Sequence, residues 1–213
     1  MELLAAFFDI VLHLDTHLQW LIRNYGSWIY PILFLVVFCE TGLVVTPFLP
    51  GDSLLFVAGT LAGTGNLYVH GLFALLVAAS FGGDNCNYWI GRYLGPRVFT
   101  RKRSWVLNPA HLERTQRFYE KHGGKTVIFA RFVPIVRTFA PFVAGVGRMR
   151  YPRFVFYSFS GGVFWVGGLI FSGYYFGNIP VVRQNLTLAI IGVILLSIMP
   201  GLIEFARRRA RSS

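Results

Sequence analysis

Two apolar stretches of this chain are broken by proline and carry charge at their breaks. The first, Trp28 to Val45, contains Glu40 and runs into Thr46-Pro47-Phe48-Leu49-Pro50-Gly51-Asp52-Ser53 before apolar sequence resumes at Leu54. The second, Thr126 to Gly147, holds Arg131 and Arg137 on either side of Pro134. Closely spaced prolines stop a helix, since proline lacks the backbone N–H and clashes with the preceding turn. Leu54 to Ala62 is also too short to cross about 30 Å of hydrocarbon, which needs about 20 residues. Broken backbone at that depth survives only where it is buried in protein or lines water. A charged side chain there costs about 2.5–3.5 kcal/mol, so four unpaired ones would cost on the order of 10 kcal/mol. The pattern predicts two re-entrant helical hairpins, 30–63 and 126–147, around a polar cavity.

Composition agrees with a membrane setting: of 213 residues, 54% are hydrophobic and 17% aromatic, well above a soluble domain. The first 22 residues make a poor signal peptide, because Glu2 and Asp9 stand where basic residues belong and no small-residue cleavage site follows. The segment is expected to be retained. A net charge of +11 raises nucleic acid as a partner, but the basic residues fall between apolar spans and not on a face interleaved with aromatics. The positive-inside rule accounts for them, and no nucleic-acid partner is expected. Cys39 and Cys86 form no ligand pattern with each other or with histidine, so neither a disulfide, a metal nor another cofactor is indicated.

Along the chain, residues 1–27 alternate apolar groups with Asp9, His13, Asp15 and His17, the pattern of an amphipathic interfacial helix with surface histidines. The membrane domain follows over 28–206. After the first hairpin, 68–90 reads as a span that closes at Gly91-Arg92, and 92–125 as a basic cytoplasmic loop with a short helix at His111 to Lys121. The second hairpin, spans at 154–176 and 186–205, and a basic cytoplasmic tail at 207–213 complete it. Counting crossings back from that tail places the two hairpins on opposite faces. The predicted fold is therefore an all-α integral membrane protein, with two oppositely oriented re-entrant hairpins and about three spanning helices in an inverted repeat. The repeat rests on matched placement of the broken segments, not on residue identity.

Glu40, inside an apolar helix, has no capping role and is expected to be paired or protonated, the alternative being a rim glutamate that faces interfacial water. Asp52 and Ser53, following Pro50 and Gly51, suit either an N-cap or a buried site. Arg131 and Arg137 would point to different faces of an unbroken helix, and a break at Pro134 can turn them together. Arginine suits bidentate recognition of phosphate or carboxylate. In Gly82-Gly83-Asp84-Asn85-Cys86-Asn87-Tyr88-Trp89-Ile90-Gly91-Arg92, Asp84, Asn85, Asn87, Tyr88 and Arg92 read as a polar packing seam that orients the hairpins, with direct contact to substrate as the alternative.

Together, Glu40, the FLPGDS segment at 48–53, the GD at 83–84 followed by NYWIGR at 87–92, and FARFVPIVRTFAPFVAG at 129–145 resemble the bacterial DedA family of membrane proteins, over roughly residues 25–205. The resemblance implies two re-entrant hairpins and a proton-dependent transporter or flippase of polyprenyl phosphate or related lipids, serving envelope maintenance in the inner membrane. It places the family's acidic pair on Glu40 and Asp52 and its arginine pair on Arg131 and Arg137. The arginines would hold the lipid phosphate while protons take the charge off the carboxylates. Rocking of one repeat against the other would expose the slot to each side in turn.

Two other classes compete. An intramembrane lipid phosphatase needs a nucleophile beside a base, and Ser53, His70 and Ser160 belong to no such cluster, so no enzyme is expected. A non-transporting factor would act on lipid organisation or partner assembly through the basic loop. A homodimer is compatible with so small a transporter, and nothing in the sequence decides it.

Overall fold

The computed structural model describes residues 14–42, 51–98, 127, 131, 134–180, 182 and 191–192. Pro50, the basic segment 99–126 with its expected short helix, most of the expected 186–205 span and the basic tail lie outside them. The described elements are α1 (Leu14–Tyr25), a 3-10 turn (Gly26–Trp28), α2 (Ile29–Gly42), α3 (Gly51–Gly63), α4 (Val69–Val98), α5 (Pro134–Val146) and α6 (Tyr151–Phe176). The described residues contain no strand, as the all-α reading requires.

Two helical stretches, Thr16–Gly42 and Tyr151–Phe176, are long and apolar enough to cross a membrane. The first joins what the sequence divides at residue 27 into an interfacial helix and a hairpin arm. The division does leave a mark: Gly26 has φ +52°, a left-handed conformation that glycine adopts without steric cost, and the 3-10 turn begins there. α1 packs against α3. α2 and α3, of 14 and 13 residues, are each about 20 Å long at 1.5 Å per residue, short of a full crossing.

α4 departs from expectation by running through Gly91-Arg92 to Val98. Gly91 does not cap the helix. It packs so closely on α5 that an added Cβ would collide with the Phe142 carbonyl. Pro134 opens α5 as its first residue, where a missing N–H costs nothing.

The chain forms two compact units, Met1–Val36 with Phe48–Val77 and Phe164–Ser213, and Val37–Pro47 with Ala78–Val163. In the first, α3 meets α6 backbone to backbone: a Cβ at Gly59 would collide with the Ile170 carbonyl, and one at Gly173 with that of Phe56. In the second, α5 meets α4 by the same device, Gly145 on the Tyr88 carbonyl and Gly91 on that of Phe142. The spacings match, and so does the sequence. Phe-Val-Ala-Gly occurs at 56–59 and again at 142–145, and Gly-x-Tyr-x-Gly at 91–95 and 173–177. These two short motifs thus recur beside the matching glycine contacts of the two units.

Such contacts leave no room for a methyl group. Gly145→Ala is expected to cost about 1–3 kcal/mol through overpacking, read as a lower unfolding midpoint of the detergent-solubilised protein. Gly168→Ala, with nothing within 4 Å of the added Cβ, should leave the midpoint nearly unchanged.

Candidate functional site

The site in the second unit grows from one stripe of α4. Ser80, Asp84, Asn87 and Gly91 are spaced i, i+4, i+7 and i+11, which brings them to one face of a helix. Ser80, Asp84 and Asn87 are buried, and α2, α5, α6 and the turn before α5 close around them.

Arg131 lies in that turn and Arg137 in the first turns of α5, so the break ahead of Pro134 sends the two guanidiniums to different carboxylates. Arg137 Nη2 donates to Glu40 Oε1 in a buried ion pair. Arg131 Nη2 pairs with Asp84 Oδ2. Around the second pair, Arg131 Nη1 donates to Ser80 Oγ at 3.0 Å and Nη2 to the Ser158 carbonyl at 3.1 Å, while Ser158 Oγ donates to Asp84 Oδ2 at 2.6 Å.

The two pairs belong together. Arg137 is close enough for its charge to act on both Asp84 and Arg131. Asn87 Nδ2 donates to the Thr138 carbonyl at 2.6 Å and the Thr41 carbonyl at 3.3 Å, tying the residue after Arg137 to the residue after Glu40. α5 supports this join, because Pro141 has no N–H to return to the Arg137 carbonyl and so disturbs the ladder in that turn. Two positive and two negative side chains thus sum to zero within one buried cluster. Two polar atoms there, Arg131 Nε and Asn87 Oδ1, have no hydrogen-bond partner among the described residues. A buried polar group left in that state costs about 1–3 kcal/mol, which a ligand able to accept from one and donate to the other would recover.

The family resemblance groups Glu40 with Asp52 as an acidic pair and Arg131 with Arg137 as an arginine pair. Glu40 does meet Arg137, but the carboxylate on Arg131 is that of Asp84, a residue the sequence assigned to a packing seam. Asp52 belongs to the first unit, in the opening turn of α3, where its charge complements the helix dipole and its Oδ1 accepts from Trp165 Nε1 at 2.9 Å. Nothing in the sequence marks Trp165, one aromatic residue among many in α6. Ser53 is fully buried beside Asp52, and its Oγ has no partner among the described residues. Trp165→Phe keeps the ring and removes the donor to Asp52. It is expected to lower stability by about 1–3 kcal/mol, measured as a shift in the detergent unfolding midpoint.

Tyr88 and Arg92 do structural work at one end of the cluster. Tyr88 is fully buried, stacks on Phe154 with ring centroids 4.3 Å apart, and its hydroxyl donates to the Met149 carbonyl at 2.6 Å. Arg92 Nη1 donates to the Tyr88 hydroxyl oxygen at 2.9 Å. Among the described residues no group of histidine, cysteine and carboxylate side chains could hold a metal ion.

Residues 49–175 match the VTT domain. The chain is 54% identical to protein DedA of Escherichia coli K12 over 98% of its own length and 96% of the relative's. It belongs to the DedA family. An uncharacterized membrane protein of Mycobacterium leprae is 40% identical, covering 81% of this chain and 78% of the relative, and the E. coli inner membrane protein YqjA is 38% identical, covering 72% and 70%. No solved structure matches the chain. This DedA-family membrane protein thus buries two arginine–carboxylate ion pairs in one cluster.

Proposed function

We propose that this protein is a proton-dependent transporter, or flippase, of a phosphate-bearing lipid in the bacterial inner membrane, supporting the cell envelope. One observation carries the proposal: two arginines, fully paired with carboxylates, are buried in one cluster of a membrane protein. Guanidinium groups bind phosphate in the same planar, bidentate way that they bind carboxylate, so Glu40 and Asp84 occupy the places of phosphate oxygens. A lipid phosphate entering the cluster takes over those hydrogen bonds, and protonation of a displaced carboxyl removes the charge that would otherwise be stranded. The chain of the lipid stays in hydrocarbon throughout.

Topology is part of the same proposal. α2 with α3, and the segment before α5 with α5, form oppositely oriented re-entrant hairpins in an inverted repeat, which the short apolar helices and the repeated Phe-Val-Ala-Gly contacts support. The C-terminus is cytoplasmic by its arginine cluster. The role is not enzymatic, since phosphate is held and released without bond cleavage. Asp52 contributes as a further acidic residue, as the family resemblance implies. Headgroup translocation by purified protein in proteoliposomes tests the proposal. A pH-dependent rate above that of empty vesicles is expected, and equal rates with and without protein would overturn it.

A further inference from the structure

Resting on that proposed function, we infer that Asp84 is a second proton-carrying carboxyl, so that uptake of one phosphate headgroup takes up two protons, one on Glu40 and one on Asp84. Charge balance leads there first. At rest the cluster is neutral, with Arg131 and Arg137 matched by Asp84 and Glu40. A phosphate monoester brings nearly two negative charges near neutral pH. With both carboxylates still ionised, about four negative charges would face two positive ones in a buried site, an arrangement burial strongly disfavours. Two protons restore neutrality.

The surroundings of Asp84 are built to lose its charge without losing Arg131. The Ser80 hydroxyl and the Ser158 carbonyl accept from the same guanidinium at 3.0 and 3.1 Å, so Arg131 stays aimed when the carboxylate is neutralised. Ser158 Oγ donates to Asp84 Oδ2 in the ionised state, and a hydroxyl can turn to accept from the carboxylic O–H once the proton arrives. No atom needs to move far. Among the described residues, the charged groups that act on Asp84 are Arg131 from the turn before α5 and Arg137 from α5; α6 presents the neutral Ser158, and Glu40 of α2 is engaged with Arg137. On its own helix the neighbour in the stripe is Ser80. Asp84 and Glu40 hold Arg131 and Arg137, and phosphate competes with both carboxylates.

Proton uptake on ligand binding, measured calorimetrically in buffers of different ionisation enthalpy, tests this. The full-length protein in detergent is titrated with geranyl monophosphate at about pH 8, where free phosphate is already a dianion. Uptake of about two protons per ligand bound is expected for the native protein, about one for Asp84→Asn or Glu40→Gln, and about two again for Asp84→Glu. An unchanged count in a folded Asp84→Asn overturns the inference alone. So does a native count of one or zero, which needs no variant to fold. No binding of the prenyl phosphate overturns both the inference and the function it rests on. Inorganic phosphate is run as a second probe and should bind at least about tenfold more weakly, lacking apolar chain to bury. Equal affinity with the same two-proton uptake supports the role of Asp84 and overturns the lipid as the ligand.

Discussion

Arg137→Lys, reconstituted in proteoliposomes, is expected to translocate a lipid phosphate about 10- to 100-fold more slowly than the native protein. Lysine keeps the positive charge, and with it the ion pair to Glu40, so a role that needed charge alone would survive the change. What lysine lacks is the planar fork that holds two oxygens at once. Hydrogen bonds between charged groups contribute about 1.5–3 kcal/mol, which sets the size of the loss. Glu40→Gln should behave differently. It leaves Arg137 buried without its carboxylate and removes a titrating group, so the rate should fall and the remaining activity should depend less on pH. Undiminished, fully pH-dependent flipping by both variants would rule the scheme out. If stripping charge from the 92–125 segment abolished activity while these buried charges proved dispensable, a factor acting through partner assembly would replace the transporter.

The second large effect is on stability. Arg131→Gln strands Asp84 in a buried site, and breaking a buried pair by removing one partner costs about 3–5 kcal/mol. The charge-free double variant, Asp84→Asn with Arg131→Gln, should recover much of that loss, because neither residue then carries a buried charge that needs compensation. Unfolding midpoints of the two singles and the double, compared as a thermodynamic cycle, give the coupling between the side chains. A coupling of at least about 1 kcal/mol is expected for residues in one network, whereas strictly additive losses would show that the two do not interact in the folded membrane protein.

Much of this was legible in the amino-acid sequence because hydrocarbon penalises charge and proline breaks helices irrespective of tertiary context. Those two rules alone single out Glu40, Asp52, Arg131 and Arg137, and put a helix boundary at Pro134, where α5 begins. Which carboxylate meets which arginine is another matter. Partner choice depends on how α4 packs against the turn before α5, and Asp84 in a Gly- and Asn-rich helix end looks like a packing residue until Arg131 is found on it. A usable sign was present in the helical spacing of Ser80, Asp84 and Asn87, a polar stripe too deep in the chain to be a solvent face.

Gly91 misled for a related reason. In sequence, Gly-Arg after an apolar run resembles a helix end, whereas in the fold this glycine exists to let α5 approach, and the helix continues to Val98. Backbone contact of that kind leaves one trace, the identical Phe-Val-Ala-Gly in both halves, which a comparison of the chain with itself would have found. The Asp52 to Trp165 hydrogen bond leaves none, because 113 residues separate its partners and tryptophan is common in membrane helices.

The most direct measurement is identification by mass spectrometry of the lipids that co-purify with the native protein and with an Arg131→Gln/Arg137→Gln double variant. Enrichment of a phosphate-headgroup lipid with the native protein, and its loss from a folded double variant, is the expected result. The same lipids in the same amounts on both proteins would contradict the assignment of the buried arginines as the phosphate site.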